Sequence, residues 1–176
     1  MSFLVRALEE KDLPVVGVLA GRLVRMHYAL DAKRYLKPGD PENGYQRWFK
    51  KERLNPDVVL VVAEETRPRA EGAPPGVVGA EPQEDEQIVG YAYARLEPIS
   101  YYELLDAHAA LHDIYVDERA RTKGIGEALV TAVKDAMREK GAPRLVLHTA
   151  MQNDKAQRLF GKTGFRTTML EMTCEL

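Results

Sequence analysis

The 176 residues hold 25 lysines and arginines against 27 aspartates and glutamates, a formal net charge of -2, which argues against the basic surplus a nucleic-acid binder needs for its phosphate contacts. With 45% hydrophobic and 30% charged residues the composition is that of a globular chain rather than a disordered one, and the length suits one domain, residues 1–176, with room for a core. The single cysteine, Cys174, leaves no partner for an internal disulfide and fits a reducing, cytoplasmic setting.

No apolar run approaches the ~20 residues of a membrane span. "LPVVGVLAG" is cut by Arg22 and follows the charged "EEKD", so neither a membrane partner nor a signal peptide is expected. "FLVRAL" alternates as a first strand. Asp12 before Leu13 and Pro14 reads as an N-cap with proline in the first turn. Val15, Val18, Leu19, Leu23 and Met26 then recur at helical spacing, predicting a helix to about Leu30. "KPGDPENG" reads as a loop and "YQRWFKKERL" as a short second helix.

"DVVLVVAEE", "IVGYAYARLEP" and "AALHDIYVD" are strands rich in β-branched and aromatic residues. Between the first two, residues 66–87 are rich in proline, glycine and acid, and predict a long mobile loop inserted in a hairpin. "SYYELLDAH" is a loop or a short helical turn. Ile125, Ala128, Leu129, Ala132, Val133, Ala136 and Met137 then mark the most regular amphipathic helix of the chain. Arg138 and Lys140 suit its negative end, Gly141 its C′ position, and Pro143 ends it. "RLVLHTA" is a strand, "DKAQRLFGKTG" a helix and "FRTTMLEMTCEL" a final strand or hairpin. This order predicts an α/β fold, a mixed sheet with helices on both faces.

The turn "RTKGIG", Arg121 to Gly126, sits between a strand and that amphipathic helix. It lacks the Gly-Lys-Ser/Thr ending of a P-loop and the third small residue of a dinucleotide fingerprint. Glycines there let backbone amides turn toward an anion, and the helix dipole adds roughly half a positive charge. A pyrophosphate would suit such a spot, and so would a plain strand-to-helix turn with solvated basic residues.

Arg121, Gly124 and Gly126 match the (Gln/Arg)-x-x-Gly-x-(Gly/Ala) loop of the GCN5-related N-acetyltransferases. A second segment resembles the same family: Asn153, Ala156, Leu159, Phe160, Gly164 and Phe165 fall on its Asn-x-x-Ala-x-x-Leu-Tyr-x-x-x-Gly-Phe pattern. The match covers roughly residues 88 to 176. The resemblance implies a central mixed, mostly antiparallel sheet splayed between the fourth and fifth strands, with acetyl-CoA in the wedge and no metal. On that basis Ile114, Tyr115 and Val116 would pair with the pantetheine arm, and the Val116 amide would face the thioester carbonyl. The amides of Arg121, Thr122, Lys123, Gly124, Ile125 and Gly126 would hold the pyrophosphate, and Asn153 and Phe160 would touch the cofactor.

The reaction implied is direct attack of a primary amine, of a small molecule or a peptide, on the thioester in a ternary complex. His148 and His112 stand where relatives place a base, and an ordinary imidazole suits base work at neutral pH. Each could equally be a hydrogen-bonded strand histidine. Strict alternation puts Asp113 on the face opposite His112. Phe160 replaces the tyrosine that usually serves as general acid, which leaves a non-catalytic CoA-binding sensor as the alternative function. By position, Tyr28, Asp31, Tyr101 and Tyr102 would line the acceptor pocket. Pairing of family members through late strands allows a homodimer.

Overall fold

The protein was analysed as a computed structural model that describes residues 2–66 and 86–176. Apart from its ends, the insertion expected at 66–87 lies outside those residues. Five strands run in spatial order β1 (Ser2–Ala7), β2 (Val58–Thr66), β3 (Glu86–Glu97), β4 (His108–Val116) and β5 (Leu145–Leu147). The first four pair antiparallel with their neighbours, and β5 pairs parallel with β4. Helices α1 (Leu13–Leu30) and α2 (Pro41–Glu52) cover one face. Helices α3 (Ile125–Glu139) and α4 (Asp154–Lys162) cover the other.

Period-2 alternation sorts the strands between the two layers. Leu60, Val62, Tyr91, Tyr93 and Tyr115 point to α1 and α2. Val59, Ala63, Ala92, Ala94, Ala109 and Leu111 point to α3 and α4. Residues 10–30 have the length and hydropathy a membrane span would need. Here Val16, Leu19, Ala20 and Leu23 are buried in the core beneath α1. Val15 and Val18, expected on the apolar stripe, lie on the exposed side. Gly17 lets α2 come close, because a Cβ there would stand 2.8 Å from the Glu42 carbonyl.

Three local expectations are corrected. Asp12 precedes α1 without capping it, because its carboxylate bonds Arg6 (2.7 and 3.0 Å) and the Glu9 amide (2.8 Å). Helix α2 starts at Pro41, inside the expected loop; Asp40 accepts from the Asn43 amide, and proline at the helix start has no amide to satisfy. Residues 165–176 form neither strand nor hairpin. No sheet edge receives their backbone among the described residues, and their side chains are mostly exposed. The tail is instead ion-paired to the segment after α1, Arg34 to Glu171 and Lys33 to Glu175.

Candidate functional site

The centre of the molecule is a defect in the sheet. β4 pairs with β5 only through Ala109–Leu145, Ala110–Val146 and Leu111–Leu147, so that the pairing stops at Leu111, where β5 ends, and the rest of β4 has no strand partner on that side among the described residues. At the same level β4 slips against β3: Tyr93 faces Asp113 while Ala94 faces Leu111, so His112 is the extra residue of a bulge. In an antiparallel ladder, hydrogen-bonded pairs alternate with non-bonded ones. Asp117 N–H donates to the Val89 carbonyl at 2.8 Å. Counting back along the register, Tyr115 is tied to β3, whereas the amides and carbonyls of Ile114 and Val116 point into the gap.

The mouth of the gap is the turn after β4. Buried Asp117 accepts from Arg119 (Nε, 3.1 Å) and Arg22 (Nη1, 2.5 Å), and the Arg119 guanidinium leads in holding its carboxyl down to about 2. Arg121 folds back, donating to the Val116 carbonyl at 3.1 Å and resting over the Tyr115 ring. Thr122 and Gly124 take positive φ, 69° and 80°. Gly124 is the N-cap of α3, with no side-chain bond to cap the helix. The first amides of α3 therefore have no intrahelical acceptor and point outward with the positive end of the dipole. A Cβ on Gly124 would meet no atom within 4 Å, so the space above the turn is open. Gly126 has a different role: a Cβ there would stand 3.0 Å from Leu159, so its glycine brings α4 close to α3. Lys123 reaches Glu65 of β2 at 2.6 Å.

On the α1–α2 face of the bulge lies a polar cluster. Tyr91 donates to Asp113 at 3.3 Å, and the Tyr45 hydroxyl of α2 lies near the same carboxyl. Burial pushes the Asp113 carboxyl up, and nearby His112 and His27 draw it partly back. Burial likewise keeps the hydroxyls of Tyr45 and Tyr91 protonated far above neutral pH. His112 stacks on Tyr93 at 5.5 Å, and its Nε2 donates to Glu97 Oε1 at 2.8 Å. A carboxylate only accepts, so in the neutral ring the lone pair is on Nδ1. His27 of α1 donates from Nδ1 to the Leu23 carbonyl at 3.0 Å by the same logic.

Comparison with known proteins shows the family. The family model "Acetyltransferase (GNAT) family" matches residues 23–165. The chain belongs to the acetyltransferase (GNAT) family. D-amino-acid N-acetyltransferase HPA3 of Saccharomyces cerevisiae is 39% identical over 57 residues, 32% of this chain and 35% of that protein. The curated relatives are matched over 35 to 56% of their own lengths. A tetramutant of the BH1408 protein of Bacillus halodurans shares the fold at TM-score 0.75 and 18% identity, covering 98% of this chain and 99% of that one. Aminoglycoside N-acetyltransferase AAC(6')-Iy, solved in complex with CoA, does so at TM-score 0.67 and 16% identity, covering 99% and 95%.

Within this GNAT fold the residues singled out from sequence are distributed unevenly. Ile114, Val116 and the turn from Arg121 to Gly126 line the gap and its mouth, whereas Tyr115, expected beside them, has its backbone tied to β3 and its side chain in the α1–α2 layer. The bulge brings Asp113 onto the same face as His112, against the strict alternation expected of a regular strand. His148 lies just past β5, exposed, with Glu171 of the tail nearby and no contact to His112 among the described residues. Asn153 caps α4, accepting from the Ala156 amide at 3.2 Å. Phe160 is buried against Phe165 in the α3–α4 core.

Of the residues expected around the acceptor, Tyr28 is half-buried on α1. Asp31 shapes the turn after it, accepting from the amides of Lys33 and Arg34. Tyr101 and Tyr102 stand free in solvent, 82% and 97% exposed. His27, Tyr45 and Glu97 were not singled out from sequence. They come from α1, α2 and β3 and meet β4 only through tertiary packing, so no spacing along the chain marks them.

Proposed function

We propose that the protein transfers an acetyl group from acetyl-CoA to a primary amine by direct attack in a ternary complex. The observation that carries this reading is the end of β4–β5 pairing beside the bulge that presents His112. The residues fit the co-substrate: positive-φ Gly124 leaves outward amides and open space for a diphosphate, and Ile114 and Val116 offer strand-like bonds in the gap. Bound acetyl-CoA supplies the activated acyl carbonyl.

The chain's own residues do the rest. The Val116 amide is a donor for a carbonyl oxygen in the gap. Nδ1 of His112 takes a proton from the acceptor ammonium, while Glu97 holds the ring by Nε2–H. Tyr91 holds Asp113 by a hydrogen bond at the floor of the site. A CoA thiol ordinarily titrates near the free cysteine value of about 8.5, so the thiolate can leave without the hydroxyl that Phe160 lacks.

Release of free thiol from acetyl-CoA across a panel of small amines and peptides tests the reading. His112→Ala is expected to lower kcat roughly 10²-fold or more and to remove the acid limb of the pH profile. His148→Ala in parallel decides between the two histidines; loss with His148→Ala alone would move the base there. The second reading, a CoA-binding sensor, draws on the burial of Phe160 in the core. Tight CoA binding without turnover on any amine would favour it.

A further inference from the structure

Four cationic side chains stand around the turn that opens α3, and each is already engaged by the protein itself. Arg22 and Arg119 pair with Asp117. Arg121 donates to the Val116 carbonyl and pairs with Glu118 at 3.3 Å. Lys123, next to Gly124 in the turn, donates from Nζ to Glu65 Oε1 at 2.6 Å. Cations turned toward an anion would add charge-assisted bonds to it. Here they turn to carboxylates and a carbonyl, so a diphosphate on the turn would meet the outward amides of α3 with the surrounding charge largely cancelled.

The three carboxylates that do the cancelling differ in weight. Asp117 also accepts from the Arg119 amide and shapes the chain after β4. The Glu118 side chain is 78% exposed, and water screens it. The Glu65 side chain is only 8% exposed, so its charge is the least screened of the three. It stands on β2 directly opposite Phe3, which packs into the α3–α4 core, so Glu65 lies on the face that α3 covers. A buried carboxylate is costly unless paired, and this one draws the Lys123 ammonium back toward the sheet; Arg119 is within its electrostatic reach as well. We infer that Glu65 is a positioning residue that limits how tightly CoA is held. By keeping Lys123 on the sheet it leaves the diphosphate to the backbone amides, and so lets spent CoA depart. The inference rests on the reading of this turn as the anion site of the co-substrate, and deepens it. A transferase must shed CoA after every transfer, and product release sets the turnover rate of many enzymes.

Glu65→Gln keeps the shape of the side chain and removes its charge. In the full chain, calorimetric titration should show this variant binding CoA roughly tenfold more tightly, the effect of one charge about 10 Å from a phosphate at an effective dielectric constant near 20. Stopped-flow displacement should show CoA leaving more slowly by the same factor, because affinity changes within one site fall mainly on the off-rate. The gain should shrink as salt is raised toward about 1 M. For acetylpantetheine, a donor that ends before the diphosphate, kcat/KM should stay near the wild-type value, which a general loosening of the fold would not leave untouched. The double variant Glu65→Gln with Lys123→Gln loses both charges and should bind CoA as wild type does. Lys123→Gln alone leaves Glu65 unpaired and should bind CoA roughly tenfold more weakly; this arm decides the matter if Glu65→Gln does not fold. CoA held no more tightly by Glu65→Gln, a gain that persists in the double variant, or wild-type affinity in Lys123→Gln would overturn the inference and leave the co-substrate reading standing. Failure of the wild-type chain to bind CoA would overturn both.

Discussion

Gly124→Asp tests the anion cradle with little disturbance of the fold. Gly124 sits at φ 80°, ψ 0° as the N-cap of α3, and nothing lies within 4 Å of where its Cβ would go. A side chain in the left-handed region costs about 1–2 kcal/mol, aspartate being among the better tolerated residues there. Against glycine, aspartate at an N-cap returns only a few tenths of a kcal/mol, and its charge suits the helix dipole. The net cost in stability should be about 1–2 kcal/mol, a fall in Tm of roughly 2–8 °C for a chain this long.

The effect on CoA is of another size. Two unit charges about 4 Å apart repel by about 4 kcal/mol at an effective dielectric constant near 20. Salt screening leaves about 3 kcal/mol, and tenfold in affinity is about 1.4 kcal/mol. Calorimetric titration should therefore show CoA bound about 100-fold more weakly by Gly124→Asp. The rise in Tm that wild type gains from CoA at 100 times Kd, equivalent to about 2.7 kcal/mol, should all but vanish. Gly124→Asn, which carries the same backbone strain without the charge, should retain most of the affinity. Affinity of the aspartate variant within threefold of wild type would show that the diphosphate does not sit on this turn.

Three further outcomes follow from the site. Glu97→Gln keeps the shape of the side chain that holds His112 but weakens its hold, so kcat should fall roughly tenfold, a fraction of what a general base supplies. Steady-state assays should show KM for acetyl-CoA unchanged. Asp113 has its carboxyl raised by burial, so the folded chain favours the protonated form, and stability falls as pH rises from about 4 through that raised value. Asp113→Asn should remove this cost, raising Tm at pH 7 relative to wild type but not at pH 4, in thermal melts across pH. Asp117 is the opposite case. Its carboxyl is lowered to about 2, so its contribution is present above about pH 4 and lost as pH falls through 2. With both arginines partly in water, Asp117→Asn should cost roughly 1–2 kcal/mol at pH 7 by urea denaturation, and the two proteins should converge near pH 2.

What could be read along the chain and what could not differ in range. Helix α3 and its turn were legible because their signals are local: an apolar stripe from Ile125 to Met137, glycine where φ is positive, Gly141 and Pro143 at the end. The first strand was legible from alternation and the central ones from their β-branched and aromatic residues, and family membership from two short motifs whose residues lie within one turn or one helix. Local reading failed where a residue's state depends on a partner far along the chain. Asp12 is taken by Arg6 rather than by the helix it precedes. The tail after Phe165 joins no sheet edge among the described residues.

The face that carries His112 belongs wholly to tertiary structure. A one-residue slip between β3 and β4 turns His112 and Asp113 to the same side, and no periodicity announces a slip, since it arises from how two strands distant in sequence register. His27, Tyr45 and Glu97 reach that face from three other elements, so their nearness to β4 is set by packing alone. Sequence by itself determined the layers and the glycine turn that opens α3, because backbone conformation and side-chain period are properties of neighbouring residues. The folded structure decided which side chains meet on the α1–α2 face of β4, because charge and hydrogen bonding act across space rather than along the chain.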